Sequence, residues 1–452
     1  MAKILRPPDR IELTKAIAVD PQRLIQVIDA GSPVDDKGRY LHWDEMRHRT
    51  PPGDFTLEEW WLGTANSRIA MARPLPLRDS KGEPFRFSNV DPVNEMVHHI
   101  DQYASGQIQS DDVITTVGSS DRYLVSSLIE EAITSSMLEG AATTRRKAKE
   151  LLRTQRPPAD HGERMILNNF NAMLKAEQLA RATVPLTPDD ILELHKVVTE
   201  GTLEDERDAG RLQEPGEERV VVIGGDFKAL HQPPPAEQLP DRLEQLCAFA
   251  NGELTEGFLH PVVRAILVHF WVGHDHPFVD GNGRTARALF YWSMLRSGYW
   301  LAQYLSISAI LRKAPGQYVK SYLRSETGDN DATYFVIYQL EVIERAIDSL
   351  RAYLTRKTAE VAEVKRLLRG VSELNNRQLA VISDALHDPY RHFTIQGHAY
   401  MHRVVHQSGR SDLLKLESMG ILEKSKMGKR YEFYAVDDLL DHLHALVASK
   451  RG

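Results

Sequence analysis

The chain has 452 residues, enough for two or three domains and a large buried core. Hydrophobic residues make up 42% and charged residues 26%, an ordinary globular composition, and the net charge of -7 argues against a chain built mainly to coat nucleic acid while leaving room for a local basic patch. One cysteine excludes an intramolecular disulfide, and the absence of an 18-residue apolar run or an apolar leader at the N-terminus makes the cytoplasm the expected location, with no membrane anchor.

Residues 1–115 mix short apolar runs with many prolines and glycines and read as an accessory segment packed on the helical region after it. Within it Thr56-Leu-Glu-Glu59 is a capping-box pattern that opens a helix carrying Trp60 and Trp61, two expected core side chains. Residues 116–355 read as mostly helix, beginning with Tyr123, Leu124, Leu128, Ile129, Ala132, Ile133 and Met137 at three- and four-residue spacing. Thr187-Pro188 is a cap followed by a first-turn proline, ahead of Ile191, Leu192 and Leu194. Arg219-Val-Val-Val-Ile223, Gly224-Gly-Asp-Phe227 and Lys228-Ala-Leu-His231 read as a short hairpin, ended by Pro233-Pro-Pro235. A helix over 238–251 comes next, in which Cys247 lies in an apolar stretch as a buried core residue. Another starts after His260-Pro261 and carries Ile266, Leu267, Phe270 and Trp271. Residues 372–445 form a smaller unit: a helix from Leu374-Asn-Asn-Arg-Gln-Leu379, two helical candidates over Val404–Ser418, and strands at Gly420–Lys424 and Arg430–Tyr434 around a Lys426–Lys429 turn. Three helices and a two-stranded wing suggest a winged-helix domain. The expected fold class is therefore mainly α, with a β-hairpin flap and a small α+β winged helix.

The chemistry concentrates in His276-Pro-Phe-Val-Asp-Gly-Asn-Gly-Arg-Thr-Ala-Arg287, which sits between two helices expected to be amphipathic. Gly281 and Gly283 let the backbone turn sharply and approach a ligand. The second helix starts near Asn282 with Ala286, Leu289, Phe290 and Met294 as its apolar face, and free N–H groups at its start favour phosphate. Arg284 and Arg287 lie one turn apart and can face one anion. Asp280 is a hard oxygen ligand suited to Mg²⁺ shared with phosphate oxygens. A neutral His276 can take a hydroxyl proton near pH 7. Base, metal ligand, anion cradle and two cations are what nucleotidyl transfer needs. Each feature alone has a plainer reading, as a turn, a solvated face or a structural histidine. Nine specified positions in twelve do not.

This run resembles the signature of the Fic (Fido-fold) adenylyltransferases without a mismatch. Leu192-x-Leu-His195, Gly210-Arg211, Pro234-Pro235, His260-Pro261, Ser306-Ile-Ser308 and Tyr318 look like further positions of the family, which places the resemblance over about 120–345 and its core at 185–340. The resemblance implies that the chain moves AMP from ATP onto a Tyr, Thr or Ser hydroxyl of a target protein and of itself. His276 would be the base, Asp280 would hold Mg²⁺ on the α- and β-phosphates, and Gly281, Asn282 and Gly283 would form the anion cradle. Arg284 would meet the inner phosphates and Arg287 the γ-phosphate, while Phe278 would anchor the loop. Gly283 favours AMP transfer, because the phosphorylating branch has lysine there. The hairpin at 219–230 resembles the flap on which a target segment adds as a strand, and Tyr318 and Trp271 are candidates for lining the base pocket. Family dimers make a homodimer the expected assembly.

Ser135-Ser-Met-Leu-Glu139-Gly140 resembles the family's inhibitory motif, and Glu131 to Ser135 fit it as well. A carboxylate at a helix end would pair with Arg287 and take away the cation that the γ-phosphate needs. The plainer reading is a surface ion pair of little worth. Some braked members also remove AMP, and the sequence leaves that open. In the C-terminal unit eight lysines or arginines between Tyr390 and Tyr431 face three acids, so Val404–Ser418 could enter a DNA major groove and Lys424–Arg430 contact phosphates. Protein contact is the alternative there. Two rival functions are a metal-dependent phosphohydrolase built on His274-Asp275, His269 and His276, and a transcription regulator whose nucleotide domain only senses ATP.

Overall fold

A computed structural model describes residues 4–105, 117–154, 156–182, 184–219, 222–223, 229–368, 374–387, 391–427 and 430–449. The chain divides into two units, residues 1–108 with 127–347, and residues 109–126 with 348–452. No helix among the described residues is long and apolar enough to cross a membrane.

The first unit is built on two neighbouring helices, Pro261–Asp275 and Asn282–Arg296. The sequence predicts an apolar stripe on each. Instead nearly every residue of both is buried, Arg284, Arg287, Tyr291 and Trp292 included. A helix that is apolar nearly all round belongs in the middle of a fold, and here it is surrounded by His161–Arg181, Pro188–Thr199 and Leu239–Asn251. Pro188–Thr199 starts as its cap dictates: Asp190 N–H donates to Thr187 Oγ1 at 3.3 Å, and Thr187 N–H donates back to the Asp190 carboxylate at 2.9 Å. Thr56 and Glu59 make the same reciprocal pair at the start of Leu57–Met71. Cys247 is buried, which pushes its thiol up to about 12.

Residues before 109 belong to this body. Trp61 is buried edge-on against Trp43. Ala72–Arg78 and Pro84–Ser88 pair as antiparallel strands, an element the sequence reading misses. The main chain continues the tie, with Arg86 N–H donating to the Asn330 carbonyl at 2.8 Å and Ala332 N–H to the Arg86 carbonyl at 2.9 Å.

The hairpin forms from Val222–Ile223 and Ala229–His231, with Val222 opposite His231. Its tip, residues 224–228, lies outside the described residues.

The second unit runs helix Asn376–His387, strand Phe393–Thr394, helices Ile395–Met401 and His406–Ser418, strands Leu422–Met427 and Arg430–Ala435, and helix Leu439–Ser449. Arg430–Ala435 pairs antiparallel with both other strands. Val381, Ile382, Leu413, Leu416, Ile421 and Phe433 fill its core. Two details depart from the sequence reading. One helix, not two, lies over 404–418, its partner falling earlier at Ile395–Met401, and Phe393–Thr394 adds a third strand.

Candidate active site

The signature loop is fixed by bonds that reach across it. Asn282 accepts from Phe278 N–H at 2.9 Å and donates to the Phe278 carbonyl at 2.8 Å, so one buried side chain closes the loop on itself. Phe278 is fully buried and stacks on His195 with ring centres 3.8 Å apart. His195 Nδ1 accepts from Gly210 N–H at 3.0 Å, so Nε2 carries the proton and donates to the Asp280 carbonyl at 2.9 Å. Burial holds this ring neutral, at about 4, against the pull of that carbonyl. Gly281 has φ +82, and a Cβ there would come within 2.7 Å of Thr199 Cγ2.

His276 caps the C-terminus of Pro261–Asp275 at φ 45, a left-handed conformation uncommon for a non-glycine residue. Its ring is neutral at pH 7, held at about 4 by burial and then by the neighbouring His231, against the Gly273 carbonyl and Glu139. Arg219, at the root of the flap, donates to the Asp275 and His276 carbonyls at 2.7 and 3.2 Å and to Pro234 at 2.9 Å. Sequence reading takes Arg219 only as the start of a strand. The signal was the count of carbonyls left open where a helix ends before a proline.

Arg284 and Arg287 enter from the first two turns of Asn282–Arg296, both fully buried. Arg284 donates to the Val198 carbonyl at 3.0 Å and lies 3.4 Å from Asp280 Oδ2, while the Asp280 side chain remains 61% exposed. Arg287 Nε donates to Ser135 Oγ at 2.9 Å, and Arg287 Nη2 meets Glu139 Oε1 at 2.9 Å. Burial opposes its charge, but Glu139, Tyr318 and Glu131 together outweigh it and raise the guanidinium pKa. Arg284 Nε and Arg287 Nη1 have no hydrogen-bond partner among the described residues. Glu139 also lies over the helix start: a Cβ at Gly283 would fall 2.3 Å from Glu139 Oε1.

Glu139 is placed by the end of the helix Val117–Leu138. Ala141 N–H returns to the Ser136 carbonyl at 3.0 Å and Gly140 N–H to Met137 at 3.3 Å, with Gly140 at φ +96. This is the Schellman ending that a left-handed glycine allows. The helix is held down by Glu131, a buried carboxylate that accepts from Ser306 Oγ at 2.9 Å, Ser308 N–H at 3.1 Å and Ser308 Oγ.

The structure thus brings together His276, Asp280, Gly281, Asn282, Gly283, Arg284, Arg287, Ser135, Glu139 and Gly140. Tyr318 joins them from Pro315–Thr327: its hydroxyl meets His269 Nε2 at 2.8 Å, and Arg287 lies close enough to lower its pKa against the burial that raises it. Trp271 is not brought in. It is buried against Phe249, and its indole N–H donates to Asp275 at 2.9 Å. Asp275 is further held by Arg242, with Nε at 2.9 Å. His269 faces Tyr318 and Asp275 faces Arg242, so the ligand set of a phosphohydrolase built on His274-Asp275 is not assembled.

Residues 185–294 match the Fic/DOC family. A Fic protein adenylyltransferase of Drosophila willistoni is 31% identical over 167 residues, covering 36% of this chain and 31% of that protein. Its counterpart in Drosophila virilis is 37% identical over 114 residues, covering 25% of this chain and 21% of that one. The chain therefore aligns with about a third or less of these curated relatives' length. A Fic family protein from Desulfovibrio desulfuricans has the same fold, with a TM-score of 0.50 at 16% identity over 78% of this chain and 98% of its own.

Proposed function

With a Fic/DOC-family domain at residues 185–294 as premise, we propose that this chain is a protein adenylyltransferase restrained by its own Glu139. The target hydroxyl oxygen attacks the α-phosphorus of ATP, its proton passes to His276, the bond to the β-phosphate oxygen breaks, and pyrophosphate leaves. The observation that carries this reading is the Glu139 carboxylate lying against Gly283 and Arg287. The protein's own anion sits where buried cations and a helix start converge, the arrangement that binds phosphate. An intact, neutral His276 beside it supports transfer over mere sensing of ATP, since binding alone needs no base.

Asp280 fits Mg²⁺: its carboxylate is exposed, and a single carboxylate plus phosphate oxygens is a usual set for that ion. Bound there, Mg²⁺ would neutralise phosphate charge. The target segment would pair with the flap as an added strand, supported by the two short strands that expose a hairpin edge.

The test is incubation with labelled ATP and Mg²⁺. Glu139→Gly should label itself strongly, His276→Ala in the same background should not, and the parent should be nearly silent. Equal labelling of Glu139→Gly and parent would remove the restraint from the reading, and label on His276→Ala would remove the base.

A second reading concerns residues 372–445 alone. The element order supports a winged helix, and Asp412, one of the three acids opposing the basic run, is buried and paired with Arg377 at 2.6 Å. Arg410 is exposed on His406–Ser418. This favours contact with DNA phosphates, which a mobility shift that weakens with salt would detect.

A further inference from the structure

We propose that His231, His274 and Glu326 bind one divalent transition-metal ion, best matched by Zn²⁺, at the wall of a cavity of about 650 Å³. The three residues come from three elements of the first unit: the second flap strand, the last turn of Pro261–Asp275 and the last turn of Pro315–Thr327. One ligand atom from each lies within 4.8 Å of the others. His231 Nδ1 is 2.8 Å and His274 Nδ1 3.4 Å from Glu326 Oε1.

Two features point to a metal more than to an ion pair alone. Two imidazoles and one carboxylate are a ligand set that Zn²⁺ takes with a fourth position open, and the cavity, lined also by Asp79, Lys81 and Arg86, lies on the open side. His231 Nε2 donates to the His274 carbonyl at 2.6 Å, the outer hydrogen bond that orients a ligating imidazole.

The protons balance. His231 donates from both nitrogens, to a carboxylate and a carbonyl, so it is an imidazolium, and its Nδ1 proton goes to solvent when the ion arrives. His274 keeps its single proton, moved to Nε2. The ion would join the end of the flap to two helices, so its occupancy would set the flap's position. The site does not depend on whether the chain transfers AMP.

The test uses the tag-free full chain, stripped with a chelator, desalted, and given Zn²⁺ or Co²⁺ with excess removed by gel filtration. The expected result is a single retained equivalent of Zn²⁺ and the visible absorption of a low-coordinate Co²⁺ site. Both should be lost in His274→Ala and Glu326→Gln and kept in Asp280→Ala. No retained metal in the parent overturns the proposal, and so does equal retention in folded His274→Ala and Glu326→Gln. Should those variants unfold, the Co²⁺ spectrum of the parent decides, since its absence overturns the site without them.

Discussion

His276 shows how a single residue's surroundings set its use. Burial and the neighbouring His231 hold its ring at about 4, and Glu139 pulls the other way. Removing Glu139 therefore lowers the value further. The proposed base must be neutral, and this ring is neutral at every pH well above 4. Self-labelling by Glu139→Gly should therefore stay flat from pH 7 to 5.5, where a histidine of ordinary pKa would lose roughly tenfold. A tenfold fall over that range, measured as initial rate, means the ring titrates normally. Asn282 makes a second case. Its side chain does not point to an anion but clamps Phe278 at 2.9 and 2.8 Å. Asn282→Ala frees the loop, and since a misplacement of about 1 Å can cost roughly 10²-fold, kcat in the Glu139→Gly background should fall by about that factor with the protein still folded. The identities in this loop were legible because glycines, arginines and a histidine at that spacing have few other uses. The clamp, the His195 bridge from Gly210 to Asp280 and the Arg219 hold on the His276 carbonyl were not legible. Each joins a side chain to a backbone group, four residues away in the clamp and 15 or more in the others, and a backbone group leaves no mark on residue identity.

At the scale of elements, the proposed restraint is a helix ending. The Schellman turn at Gly140 fixes where Glu139 emerges, but what keeps the helix in place is Glu131, one of few buried carboxylates in the unit. Burial pushes its pKa up, and the Ser308 and Ser306 hydroxyls and Arg287 work against that shift. Glu131→Ala would leave the Ser308 N–H and two hydroxyls without their acceptor, a loss of about 1–3 kcal/mol in helix docking, or roughly 5- to 150-fold in the closed-to-open ratio. Self-labelling should rise to a level between parent and Glu139→Gly, although Glu139 itself is untouched. No rise would mean that the Arg287–Glu139 pair alone holds the helix. The motif around Glu139 was readable as a motif, whereas its dependence on Ser306 and Ser308 needed the fold. The strands Ala72–Arg78 and Pro84–Ser88 were hidden for a different reason. Pro74 and Pro76 argue against a strand, and an edge strand with an irregular register tolerates them.

For the whole molecule, the question is whether residues before 109 are an appendage or part of the body that carries the site. Composition favours an appendage, since prolines and glycines dilute the apolar pattern there. Side chains decide otherwise, and Arg68 is the clearest of them. It is 5% exposed, donates to the Pro33 carbonyl at 2.8 Å, the Leu41 carbonyl at 3.0 Å and the Tyr334 hydroxyl at 2.7 Å, and lies 3.6 Å from the centre of the Tyr40 ring. Tyr40 in turn donates to Asp331, whose half-buried carboxylate also accepts from Thr333 N–H at 3.0 Å. One cation thus joins the N-terminal segment to the start of the helix Thr333–Leu368. Taking it away leaves two buried carbonyls and a phenol unpaired, a loss of about 3–5 kcal/mol. Arg68→Ala should lower the unfolding transition of this unit by on the order of 10 °C in calorimetry. Arg68→Lys, which keeps the charge but not the planar fork, should recover only part of it. Because the same unit carries Tyr318 and the signature loop, labelling by Glu139→Gly should fall at the temperature where the Arg68→Ala transition begins. An Arg68→Ala protein that melts with the parent would mean that the segment rests on the surface and that the site stands without it.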